Sequence, residues 1–357
     1  MKKLKLAIIG QGRSGRDIHG AFYKSEKNKF YDIKYVVEQD DYRRAKAERE
    51  YPGCIGLSSY TELFDKDVDI VVNASYSQQH YSITKDLLEH GKNVLVEKPF
   101  ARTRYECENL ITIAKENNVI LAVFQQSNLA PFYEFTKELM TSGKIGEIKH
   151  ISVRYNGFSR RWDWQTLQCK CAGNVFNTGP HPIGVALGLI DWDPNAKVVY
   201  SKLDNALASG DAEDSAKIII DAPNKPSIDI EISSMDAFSN YHVKLQGTRG
   251  TYQTNIISYK MKYIVDGENP EQKVIFESLK GEDSAPMYCS EKLITHDEEG
   301  NFDGTAFDVG TEKLYENLYY KITEGQELKI KPEDCAKVIS VIEACHVQNP
   351  MPIKWKE

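Results

Sequence analysis

Leu4-Lys5-Leu6-Ala7-Ile8-Ile9-Gly10-Gln11-Gly12-Arg13-Ser14-Gly15 is the stretch that decides how the rest of the chain is read. Apart from one lysine its first half is apolar, as expected of a strand buried on both faces. It runs into a G-x-G-x-x-G pattern, and a segment near 14–25 that can form a helix follows. In that context the first glycine allows a tight turn and the second lets backbone approach a pyrophosphate. The third permits close helix–strand packing. The helix N-terminus adds partial positive charge. A second strand, 33–37, ends beside Glu38, 23 residues after Gly15. An acid at that place meets the hydroxyls of an adenosine ribose. It would repel a 2′-phosphate, so NAD is expected over NADP, with Arg13 and Arg43 weighing the other way.

Outward from this unit the same rhythm repeats. Strands are expected at 68–74, 93–96 and 119–124, with helices at 42–50, 82–90 and 105–117 between them. Gly91 is a stop signal for the second of these helices. Repeated β-α-β with short connections predicts a doubly wound parallel sheet, a Rossmann domain. After about 130 the pattern changes. A helix at 131–142 and a strand at 149–155 precede a strand-rich stretch from 197 to 290, and helices at 308–323 and 332–345 close the chain. This predicts an α+β second domain with a large, mostly antiparallel open sheet. The expected division is a cofactor domain over 1–125 and a substrate and oligomerisation domain over 126–357.

The bulk properties exclude several classes. With 357 residues, 41% hydrophobic and 27% charged, the chain has ordinary globular composition. Its 45 basic and 52 acidic residues leave a formal charge of −7, without the basic excess of a nucleic-acid binder. No apolar run approaches the roughly 20 residues of a membrane span. The run after Lys5 stops at Gly10, too soon for a signal peptide. Seven scattered cysteines show no zinc-site spacing and read as reduced thiols in a cytoplasmic protein. No metal is expected.

Gly91-Lys92-Asn93-Val94-Leu95-Val96-Glu97-Lys98-Pro99 places a lysine just beyond a buried strand. Ligands of open α/β sheets bind outside the carboxyl ends of the strands, so Lys98 is expected to face the same crevice as the Gly10 loop. With the glycine loop, Glu38 and the segment from Asn73-Ala74-Ser75 to His80, this element resembles the glucose–fructose oxidoreductase / inositol dehydrogenase / MocA-like dehydrogenases. The resemblance covers essentially the whole chain. It implies that Lys98 sits beside the nicotinamide and hydrogen-bonds the reacting hydroxyl, and that the Lys98–Pro99 peptide is often cis. It also implies cofactor contacts from Gly10, Gly12, Arg13, Ser14, Gly15, Glu38, Ser75, His80, Glu97, Lys98 and Gln126. His80 is read equally as a structural histidine.

A second signature of that family, D-x-G-x-H, is matched by Asn177-Thr178-Gly179-Pro180-His181. The resemblance makes His181 the group that acts with Lys98 on the substrate hydroxyl, a role that suits a histidine near neutral pH. Asn177 replaces the usual Asp. An amide can orient a ring or bind a hydroxyl, but it cannot stabilise an imidazolium as a carboxylate does. Gly184 stands where an Asp often follows the histidine, and Ser127-Asn128 where relatives carry Arg-Arg. The run Arg160-Arg161-Trp162-Asp163-Trp164-Gln165-Thr166 combines aromatic faces with planar hydrogen-bonding groups, as a pyranose requires; Arg161 and Trp164 are the residues selected from it. Tyr155 and Asn156, at the end of the first strand of the second domain, could reach the cleft, and Tyr155 is selected as a substrate contact.

The expected protein is an NAD-dependent dehydrogenase oxidising a secondary hydroxyl of a sugar or glycoside. The specific expectation is C3 of a glucosyl unit, giving a 3-keto-glycoside, the first step of a deglycosylation completed by a separate lyase. An inositol or free-aldose dehydrogenase is the alternative on the same machinery. A non-catalytic NAD or sugar sensor is the alternative of another class. A homodimer or homotetramer is expected from the open sheet of the family.

Overall fold

The computed structural model describes residues 2–356. Leu4–Ile9 forms β1, and its alternation serves two cores. Leu6 and Ile8 join Phe22, Tyr31 and Leu95 on one face, whereas Ala7 and Ile9 join Leu63, Leu87 and Leu110 on the other. Strands β2 (Tyr31–Val37), β3 (Ile55–Leu57), β4 (Ile70–Asn73), β5 (Val94–Glu97) and β6 (Leu121–Phe124) complete a six-stranded sheet. All of its pairings are parallel, in the order β3-β2-β1-β4-β5-β6. The order reverses between β1 and β4, so the crevice above their carboxyl ends is where a ligand is held.

The helix after the glycine loop runs from Arg13 to Lys24, first as a wide π-type turn over Arg13–His19 and then as α1 (Gly20–Lys24). Helices α2 (Asp41–Glu50), α3 (His80–Glu89) and α4 (Arg104–Glu116) link the later strands. Thr103 caps α4, accepting the Glu106 N–H while the Glu106 carboxylate returns to the Thr103 N–H.

Beyond α5 (Pro131–Ser142) comes an eight-stranded sheet. Its strands are β7 (Ile148–Asn156), β8 (Lys197–Asp204), β9 (Ser215–Asp221), β10 (Ser227–Ser233), β11 (Val243–Gly247), β12 (Gly250–Thr254), β13 (Ser258–Tyr263) and β14 (His296–Asn301). They lie in the order β14-β13-β12-β11-β7-β10-β9-β8. Every pairing is antiparallel except β7 with β10. Two short helices, α6 (Asn174–Asn177) and α7 (Pro180–Leu189), lie under this sheet. The sequence P-H-P-I-G-V-A-L-G-L is apolar nearly all round, and α7 is accordingly buried from Pro182 to Leu189.

The chain then returns to its beginning. In α8 (Thr311–Glu324), Leu314, Tyr315, Leu318 and Tyr319 enter the same core as Leu6, Ile8 and Tyr31. The last helix, α9 (Pro332–Gln348), packs on α4, α7 and β8.

Two strands depart from the expected pattern. β3 is three residues with Gly56 at its centre, and β14 reads His-Asp-Glu-Glu-Gly-Asn. Neither carries a β-branched periodicity, because both are edge strands held mainly by their neighbour's backbone. Residues 264–290 were expected to be strand-like; they form turns and irregular backbone, punctuated by Gly267, Pro270, Gly281 and Pro286.

Candidate active site

The carboxyl ends of β1, β4, β5 and β6 deliver the glycine loop, Ser75, Lys98 and Gln126 to one edge. Gly10 has φ +89°, and a Cβ on it would sit 2.5 Å from the Ala74 carbonyl oxygen. A Cβ on Gly15 would collide with the Gly10 carbonyl. Both glycines are therefore demanded by the turn and by helix packing. Gly12 is different: a Cβ there would meet nothing within 4 Å. Its bare backbone faces open space at a helix N-terminus that no side chain caps. That is the cradle a pyrophosphate needs.

Glu38 closes the far side of the loop. One carboxylate oxygen accepts the Gln11 N–H at 2.9 Å, the other the Asp40 N–H at 3.1 Å. Arg13 and Ser14 open the helix, with Arg13 exposed. Ser75 Oγ donates to Asn73 at 2.7 Å. His80 is buried between two carbonyls, Pro99 at 2.7 Å and Ser75 at 3.2 Å, so it braces the turns that carry Ser75 and Lys98. Burial lowers its pKa. The carbonyl-side oxygen of the Gln126 side chain is buried with no hydrogen-bond partner, a polar atom left for a ligand.

The Lys98–Pro99 peptide is cis. Lys98 Nζ crosses to the second domain and donates to the Asn177 carbonyl at 2.9 Å. Burial lowers the Lys98 pKa; Glu97 opposes this, and the charges of Arg13 and Arg161 reinforce it. His181 is the second residue of α7, and its Nδ1 lies 2.7 Å from Ser127 Oγ. Burial, then the Lys98 charge, pushes its pKa down to about 3 against a small upward pull from Glu97. The positive end of α7 acts in the same direction. His181 is therefore neutral at pH 7.

Asn177 keeps its side chain for Gln165, whose Nε2 donates to Asn177 Oδ1 at 2.9 Å. Trp164 meets Tyr76 edge to face at 5.0 Å, so the aromatic loop touches the loop after β4. Arg161 is paired with Asp163 at 2.6 Å and stays close enough to influence Lys98. Tyr155 lies on the helix-facing side of β7 with its ring perpendicular to that of His242 and the ring centres 5.1 Å apart, and burial raises its pKa. Asn156 does not reach the cleft. Strand alternation turns it to the opposite face, where it donates to Glu231 at 2.8 Å and Asp236 at 2.9 Å.

Ser127 and Gln165 take part in these networks without having been selected as site residues from the sequence. The signal for Ser127 lay in three departures taken together. A Cβ on Gly184 would run into the Gln125 amide, with Asn128 Oδ1 3.0 Å away. Gln125 donates to the Pro180 carbonyl at 3.1 Å, and Asn128 to that of Gly184 at 2.9 Å. Neutral amides fill the room an acid at 184 would take, and a hydroxyl serves His181.

Residues 4–125 match the oxidoreductase family with an NAD-binding Rossmann fold, GFO_IDH_MocA, and residues 133–253 match the GFO/IDH/MocA C-terminal domain. The chain belongs to the Gfo/Idh/MocA oxidoreductases. It is an oxidoreductase of that type with the family's NAD-binding Rossmann domain. A Bacillus subtilis scyllo-inositol 2-dehydrogenase (NADP(+)) is 26% identical over 52% of this chain and 51% of its own. The structure of an NAD-binding protein from Listeria innocua superposes with a TM-score of 0.77 at 22% identity, covering 99% and 98% of the two chains. A 3-ketoreductase from Actinomadura kijaniata, solved with TDP-benzene and NADP, gives 0.76 at 14% identity over 97% and 98%. Within the Gfo/Idh/MocA fold, the glycine cradle, Lys98 and His181 converge on one crevice, with a polar second-domain wall opposite.

Proposed function

We propose that the protein oxidises a secondary hydroxyl of a sugar or glycoside with NAD, at C3 of a glucosyl unit, giving a 3-keto-glycoside. The observation that supports this reading most directly is the Lys98 to Asn177 contact, which brings the lysine beside a neutral His181. Bound NAD supplies the hydride acceptor. Lys98 Nζ exchanges the Asn177 carbonyl for the substrate oxygen, donating to it and stabilising the developing alkoxide. His181 takes the hydroxyl proton, directly or through Lys98, while Ser127 Oγ fixes its ring orientation. Held well below neutral, His181 is a weaker base than the near-neutral histidine expected from the sequence, so stabilisation of the alkoxide by Lys98 carries more of the proton removal. Gln165 and Asn177 offer amide groups to sugar hydroxyls, and Trp164 an aromatic face. Glu38 supports NAD over NADP, because a 2′-phosphate would meet its carboxylate.

Incubation with NAD or NADP and a panel of glucosides, glucose and myo-inositol tests the reading, the product carbonyl being located by NMR. A C3 carbonyl formed with NAD is expected. A C1 or C2 carbonyl, or a clear preference for free inositol or aldose, replaces the glycoside reading. A preference for NADP overturns the role of Glu38. Unchanged function in cells carrying Lys98→Ala and His181→Ala would make the protein a sensor. The open eight-stranded sheet supports a homo-oligomer, which light scattering measures.

A further inference from the structure

Behind Lys98 lies a sealed row of polar groups that the proposed chemistry leaves unused. Glu97 Oε1 is 3.0 Å from His19 Nε2, and His19 Nδ1 is 2.6 Å from the Tyr315 hydroxyl. The three side chains come from the glycine-loop helix, the end of β5 and α8. Glu97 is 3% exposed, and His19 and Tyr315 are 0% exposed. The edge of the His19 ring is closed by Phe124 at 4.4 Å. Burying a carboxylate, an imidazole and a phenol together is costly unless each is paired, and an apolar trio would serve packing as well. The other Glu97 oxygen accepts the Lys98 N–H at 3.0 Å. The carboxylate is thus wired to the lysine's backbone as well as its charge.

The charged and titratable neighbours are few. Glu97 faces His19, Lys98 and His80, and its charge also reaches His181 and Tyr315. His19 faces Glu97 and Tyr315. Tyr315 is ringed by Tyr23 and Tyr31. Lys98 faces Glu97, Arg13 and Arg161, and acts in turn on His181. Burial pushes Glu97 up, but His19, Lys98 and His80 together hold it at about 2, so it is a carboxylate throughout the working range.

A carboxylate only accepts, so His19 Nε2 carries a hydrogen. Nδ1 has two options. Neutral His19 accepts the Tyr315 O–H, and the Glu97–His19 pair keeps one negative charge for Lys98 to balance. Cationic His19 donates to a Tyr315 hydroxyl that has merely rotated, and the pair is then neutral. No heavy atom moves between the two states.

We infer that His19 and Tyr315 are positioning residues for Lys98: through Glu97 they set the negative charge the lysine sees, and hence when it carries its proton. This rests on the reading of Lys98 as the group that holds the substrate oxygen. His19→Asn removes the option of a cation beside Glu97, leaving the full carboxylate charge to Lys98. Tyr315→Phe removes the Nδ1 partner in both states, and the cation, whose charge-assisted hydrogen bond is the stronger, loses more, so the sign is the same and the effect smaller.

The test titrates Lys98 itself in the full-length protein. Trace acylation with acetic anhydride across pH, read by peptide mass spectrometry, yields its apparent pKa without substrate. His19→Asn is expected to raise that value by about one unit, the lower end for an opposite charge at close range, and Tyr315→Phe to raise it by less. The pH limb of kcat should move in parallel while the KM for NAD stays. Both titrations unmoved in folded variants, whatever the loss of rate, overturn the inference. If His19→Asn does not fold, Tyr315→Phe decides alone. A shifted titration in a protein that oxidises none of the panel upholds the positioning role and removes the proposed function instead.

Discussion

Gly184 sits in the interior of α7, where glycine costs about 1 kcal/mol relative to alanine. Propensity alone therefore makes Gly184→Ala stabilising. The surroundings reverse the sign. The new Cβ would occupy the position of the Gln125 amide, which is 2% exposed and bonded to the Pro180 carbonyl. Overpacking of this kind costs about 1–3 kcal/mol, and the displaced hydrogen bond adds about 1 kcal/mol. Net destabilisation of about 1–3 kcal/mol follows after the helix gain is subtracted. The Gln125→Ala/Gly184→Ala double variant should recover at least half of it, giving a coupling energy of about 1–2 kcal/mol. Urea unfolding of wild type, both single variants and the double, followed by circular dichroism, measures each term. A Gly184→Ala midpoint at or above wild type would falsify the argument, since it would show that Gln125 moves aside without cost.

Other perturbations separate the parts of the site. Ser127→Ala frees the His181 ring and should lower kcat roughly 10-fold, a fraction of the roughly 100- to 10,000-fold a general base supplies, while nucleotide affinity measured by calorimetry stays unchanged. Gly12→Ala adds a methyl to open space, so the thermal midpoint should hold within about 2 °C while NAD affinity falls at least 10-fold; equal losses in both would contradict the cradle. His181 supplies a pH dependence with a definite sign. Its folded pKa of about 3 lies below the unfolded value of 6.5. The unfolded chain therefore takes the proton first, and stability present above pH 6.5 is lost as pH falls toward 3. At pH 5 this group alone accounts for about 2 kcal/mol. The difference in stability between wild type and His181→Gln should change by that amount from pH 7.5 to 5, and a flat difference would disprove a buried neutral imidazole.

The parts of the fold legible in the sequence were those written in short-range pattern. β1 and its three glycines and the β5–Lys98 turn each lie within a dozen residues. His181 and Asn177 were readable because the family signature fixes their spacing. What escaped was pairing between segments remote in the chain: Ser127 with His181, Gln165 with Asn177, and above all His19 with Tyr315, 296 positions apart. A histidine in one helix and one of three tyrosines in another carry no mark of each other. Asn156 failed for a local reason, since neighbours on a strand face opposite ways and only Tyr155 could turn toward the helices.

The return of α8 to the first sheet has a bearing on synthesis. Tyr31 and Tyr315 share one core, and the Tyr31 hydroxyl donates to the Tyr315 carbonyl across 284 residues. At translation rates of about 5–20 residues per second, that interval lasts roughly 15–60 s. Through it the emerging amino-terminal half displays Leu6, Ile8, Phe22 and Tyr31 with no lid. Ribosome-bound nascent chains truncated before residue 311 should therefore recruit chaperones and fall to protease, and resistance should appear only once Tyr319 has cleared the exit tunnel.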